Sequence, residues 1–163
     1  MKDEVKGALD SIFSAHAEKK REQVTAANEL ARRQFEFLEE FGRYAEQVVR
    51  PAFESVGEHV KKNGYDYRVA SQPYKQDSRG VTTDPSITVY FIVPNDGKHR
   101  QLSEYPHLSV AANKGTQKVL LHESTMVPGR GGMSGGGTGI PLDQLTEDLI
   151  HTQLLKILGA VFR

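Results

Sequence analysis

The period of the apolar residues changes once along this chain, and that change restricts its architecture more than any motif does. From Leu30 to Val60 the apolar side chains, Phe35, Leu38, Phe41, Val49 and Phe53 among them, fall within about half of a helical wheel. Arg32, Glu36, Glu39, Arg43, Glu46, Arg50 and Glu54 take the other half. The phase survives Gly42 and Pro51, which predicts one axis with a kink, or a break that puts Pro51 in the first turn of a second helix. Asn63-Gly64 is a suitable stop.

Upstream, Val5, Leu9, Ile12 and Phe13 lie on the same phase, whereas residues 16–23 offer almost nothing to bury. A helical arm over 1–63 would reach about 90 Å, too long to pack wholly on a domain of this size. Either it breaks near 16–23, or its first part projects and meets a partner. An apolar stripe on a projecting helix most simply meets a second copy, so Val5, Leu9, Ile12 and Phe13 are the candidate self-association residues and a dimer is expected.

From residue 65 the pattern alternates. Tyr65–Val69, Ile87–Val93, Leu108–Ala112 and Lys118–Glu123 predict four strands. Asn95-Asp96-Gly97 begins one connection, and Asn113–Thr116 has the chemistry of a hairpin turn. Links this short, without crossover helices, imply an antiparallel meander and not a parallel dinucleotide-binding sheet. Ser71–Pro85 reads as a polar loop. A final helix follows Thr146, a good N-cap, with Glu147 and Asp148 at the positive end of its dipole. Its broad apolar face, including Ile150, Leu154 and Ile157, is suited to packing on the sheet. The expected fold is α+β within a single domain: a long N-terminal helical arm, a four-stranded antiparallel meander over part of 64–163, and a C-terminal helix packed on the sheet.

Residues 128–141 hold seven of the fifteen glycines and predict a flexible loop. Gly132-Met-Ser134-Gly-Gly136 matches the G-x-S-x-G pattern of a nucleophile elbow, with Asp143 or Asp148 and then His151 downstream. An elbow needs a sharp turn between a buried strand and a helix, and flexible glycines flank this serine on both sides. Arg130 beside so many backbone N–H groups makes an anion cradle the second possibility there. Of the six histidines, His107 and His122 fall on adjacent strands, with Glu123 close by, but no spacing signals a metal site. His107, His122, Glu123 and Arg130 are therefore the candidate ligand-binding residues. No catalytic residue, metal or cofactor is assigned.

Composition narrows the function classes. The 21 Lys+Arg balance 21 Asp+Glu, against an electrostatic nucleic-acid or membrane-surface binder. The balance holds in each part, with 11 basic and 12 acidic residues up to 63 and 10 against 9 beyond. The absence of cysteine removes disulfides, thiolate nucleophiles and Cys-based zinc sites. A charged start and the lack of a long apolar run predict no leader, no membrane span and a cytoplasmic protein. The expected function is a noncatalytic interaction protein that self-associates through its N-terminal helices and binds a protein or peptide partner. The alternative is a small-molecule binder or enzyme with a pocket between sheet and helix.

Overall fold

The computed structural model describes residues 1–94 and 97–163, so Asn95 and Asp96 of the expected turn lie outside the described residues. Two compact units divide the chain, residues 1–36 and 37–163. The first unit is helical from Asp3 onward, formed by most of α1 (Asp3–Tyr44). The helix runs through 16–23 without a break. After His16, Ala, Glu, Lys, Arg and Gln fill that stretch, and all are strong helix formers, so local propensity holds the helix where there is little to bury. Glu29, Arg32 and Glu36 add a ladder of ion pairs at 2.8 and 2.9 Å.

The second unit starts at Phe37, and α1 begins to bury side chains there: Phe37, Leu38 and Phe41. One π-helical turn over Ala45–Val49 then leads into α2 (Arg50–Lys62). Pro51 lacks an N–H, and its ring crowds the carbonyl four residues back. The chain answers with a wider turn in which Arg50 N–H donates to the Ala45 carbonyl, five residues back. The helix thus continues past the proline, with its irregularity placed just ahead of it.

Seven strands follow among the described residues: β1 (Asp66–Gln72), β2 (Lys75–Gln76), β3 (Thr82–Thr83), β4 (Ser86–Ile92), β5 (His107–Asn113), β6 (Lys118–Ser124) and β7 (Ser134–Gly136). The main sheet is an antiparallel meander in the order β1-β4-β5-β6-β7. It has five strands, not the expected four. The fifth, β7, comes from the glycine tract expected to be a loop. It pairs Ser134 with Ser124 and Gly136 with His122. Glycine has no side chain to alternate, so periodicity is blind to such a strand; only the backbone ladder defines it. Gly132 takes φ +150° where a Cβ would sit 2.5 Å from the Thr125 carbonyl oxygen, so the approach to β7 needs glycine.

The polar stretch 71–85 also contains more than loop. β2 and β3 form a small hairpin in which Asp77 Oδ1 accepts from the Arg79 and Val81 N–H groups at 2.8 and 2.9 Å.

Alternation places Ile87, Val89 and Phe91 with Leu108, Val110 and Val119 on one face of the sheet, all buried. That face is covered by α2 and by α3 (Glu147–Val161), whose Ile150, Leu154, Ile157 and Val161 complete the core. Thr146 caps α3, its hydroxyl accepting from Leu149 N–H at 3.2 Å. The Tyr44 hydroxyl donates to the Leu145 carbonyl and joins α1 to the entry of α3. Where α2 crosses β1, Gly57 admits the Tyr67 ring so closely that a Cβ would lie 2.3 Å from it. The Tyr67 hydroxyl donates to Glu58 at 2.7 Å, and that hydrogen bond, then burial, pushes its pKa up to about 12.

Candidate functional site

The four candidate ligand residues of the second unit separate into three places. His107 and His122 come together. Ser109 pairs with His122 and His107 with Ser124, so the two histidines sit two positions apart in register on the face of the sheet opposite Leu108 and Val110. Their ring centroids are 5.6 Å apart with planes 24° from parallel. Tyr90, directly across β4 from His107, brings a third ring to 5.4 Å. On the far side, Ser134 Oγ and His122 Nε2 share a hydrogen bond of 3.2 Å. A row of Tyr90, His107, His122 and Ser134 therefore crosses four strands.

The protonation of this row follows from its surroundings. His107 Nδ1–H donates to the Tyr105 carbonyl at 2.8 Å, which fixes the tautomer. Burial lowers the His107 pKa below the ordinary imidazole value; the Tyr105 carbonyl acts the other way, and the neighbouring His122 adds to the lowering. These surroundings favour the neutral form of His107. Imidazole lone pairs lie in the ring plane, and in two nearly parallel rings they do not converge on one point. This is a stack and not a chelate, and no cluster of three metal-ligating side chains occurs among the described residues.

The serine hydrolase pattern is not assembled either. Ser134 stands on an exposed edge strand instead of a strand-to-helix elbow. Its histidine neighbour is His122, whereas His151 lies on α3 with Nε2 3.8 Å from Glu147. No carboxylate hydrogen-bonds to His122 among the described residues, so nothing orients it as a base.

Glu123 points the opposite way, as the neighbour of His122 in a strand must. It faces α3 and holds Lys156 at 2.7 Å. This pair borders a cleft of about 350 Å³ between sheet and helix, with Leu108 and Leu121 beside Gly135–Thr138 and Gln153. Arg130 is elsewhere again: its guanidinium donates to the Val161 carbonyl at 2.6 Å. There it satisfies a C-terminal carbonyl of α3 and complements the helix dipole, a use that only the tertiary fold reveals.

The self-association candidates belong to the first unit. Val5, Leu9, Ile12 and Phe13 are 48%, 38%, 61% and 66% exposed. All residues from 1 to 33 are exposed. Val24 and Leu30 extend the same exposed set beyond the four residues singled out from the sequence.

No helix among the described residues is long and apolar enough to cross a membrane. No family model, curated protein or solved structure matches the chain, so its chemistry rests on its own residues.

Proposed function

We propose that this chain is a cytoplasmic, noncatalytic interaction protein that self-associates through its N-terminal helix and offers its α+β unit to a protein or peptide partner. The observation that carries the reading is the exposure of Val5, Leu9, Ile12 and Phe13 on one side of an otherwise polar helix. A helix in water draws most of its stability from packing an apolar face, not from propensity. Burying such side chains against a second copy contributes about 25 cal/mol for each Å² of apolar surface removed from water.

Light scattering of the full chain tests the proposal. A dimer mass is expected, and Leu9→Glu with Phe13→Glu is expected to return the chain to monomer with its circular dichroism retained. A monomeric wild-type chain at high micromolar concentration would refute self-association.

A second reading is favoured by the cleft beside Glu123 and Lys156, which suits a small polar ligand lying between β6, β7 and α3. Its test is native mass spectrometry of the chain. Retained small molecule lost on Gln153→Leu would support it, and a bare chain mass in every preparation would count against it.

A further inference from the structure

The exposed stripe of the first unit has a spacing that says how a second copy would lie on it. At 100° per residue, Leu9, Phe13, His16, Lys20, Val24, Ala27 and Ala31 fall within about 80° of arc. All seven are exposed. The steps between them are four, three and four residues up to Lys20, then four, three and four beyond it. This spacing reads the same in both directions. It repeats over eleven residues, close to three turns of helix.

Side-chain sizes are not symmetric about that centre. The large residues Leu9 and Phe13 lie before Lys20, and the small Ala27 and Ala31 lie after it. A parallel pair would stack large on large at one end and leave alanine facing alanine at the other, so the helix separation would have to vary along the pair. An antiparallel pair sets large against small in the outer layers, Leu9 on Ala31 and Phe13 on Ala27, which keeps the axes at a similar separation at both ends.

From these observations we infer that two copies pair their N-terminal helices antiparallel, with the two-fold axis passing beside Lys20. The inference rests on the self-association reading and adds its geometry. Leu9 then packs on the partner's Ala31, Phe13 on the partner's Ala27, and His16 on the partner's Val24. On one flank Ile12 lies beside the partner's Leu30.

Charge agrees with this pairing. In an antiparallel pair each flank meets its own kind, so Asp10 faces the partner's Arg32, a pair that occurs twice. Arg32 already bridges Glu29 and Glu36, and Asp10 completes its surroundings. Lys20 and Arg21 meet their own copies near the axis, where the long stems cover the seam while the charges stay in water. The central layer is therefore the weak point of the pair, and it names its own repair.

The chain has no cysteine, so orientation can be read by crosslinking without background. Leu9→Cys together with Ala31→Cys is expected to form a covalent dimer under mild oxidation, while neither single variant does. The two positions are about 33 Å apart along one helix, so a bond between them must join two chains. Lys20→Leu is expected to lower the dimer dissociation constant at least tenfold, by light scattering across a dilution series. Crosslinking of Leu9→Cys alone would overturn the antiparallel arrangement and leave self-association standing. Failure of the double variant to crosslink in a chain that is dimeric by light scattering would overturn it equally. A monomeric wild-type chain would remove both readings together.

Discussion

Phe13 and Phe41 lie on the same helix and in the same kind of amphipathic pattern, yet one is 66% exposed and the other 1%. The difference between them is what faces the stripe. From Phe37 onward the helical apolar face meets the inner face of the sheet and the apolar side of α3. In the first unit residues 1–33 are all exposed. A periodic pattern therefore specifies a face to be covered but not its cover. In the second unit the cover is encoded within the same chain, whereas residues 1–33 of the first keep their apolar side chains exposed.

That contrast can be broken most directly at its two phenylalanines. Phe53→Ala, at a fully buried position of α2, is expected to cost about 3–5 kcal/mol in urea unfolding of the α+β unit. Phe13→Ala is expected to move the same transition by no more than about 0.5 kcal/mol while weakening self-association. Equal effects on unfolding would abolish the distinction between the regions.

Helix glycines sharpen it further. Gly57→Ala places a methyl against the Tyr67 ring and is expected to destabilise by about 1–3 kcal/mol. Gly7→Ala meets open space and is expected to raise helicity, stabilising the helix by about 0.5–1 kcal/mol. Thermal unfolding by circular dichroism at 222 nm reads both.

A smaller effect is expected at the start of α3. Thr146→Ala removes the hydroxyl that accepts from Leu149 N–H and should cost about 1 kcal/mol, measured by chemical denaturation.

The smallest is electrostatic. The His107 pKa is lowered in the folded chain, so the unfolded chain binds the proton more readily. Stability is complete above the unfolded imidazole pKa of about 6.5 and falls as pH drops from there towards the lowered folded value. His107→Asn should flatten that slope between pH 7 and 5, and an unchanged slope would show that burial of His107 does not set it.

Much of this fold was legible because side chains alternate. Ile87–Val93 and Leu108–Ala112 announce their strands by period two, and the same alternation turns His122 and Glu123 to opposite faces. The chemistry of Thr146 likewise marks the start of α3 without any tertiary knowledge. Two features were hidden for physical reasons. β7 is specified by backbone hydrogen bonds of glycines, such as Gly137 N–H to the Leu121 carbonyl at 3.1 Å, and carries almost no side-chain signal. Arg130 finds the Val161 carbonyl across 31 residues of sequence, a distance no local pattern spans. The row from Tyr90 to Ser134 was half visible: its histidines could be placed on adjacent strands, but the register that puts them on one face comes from the ladder, and Ser134 joins only because β7 exists.

The glycine strand also leaves the sheet ending in a border with few side chains. Most sheets guard such a border with a charge, a proline or a bulge that makes a stray strand unwelcome. Between Ser134 and Gly136 none of these is available, and three residues are too few to template a long ladder. Brevity is the protection. Extending that border with valines would turn a tolerated end into a seed for fibrous assembly, whereas the same valines on β4 would only deepen the core.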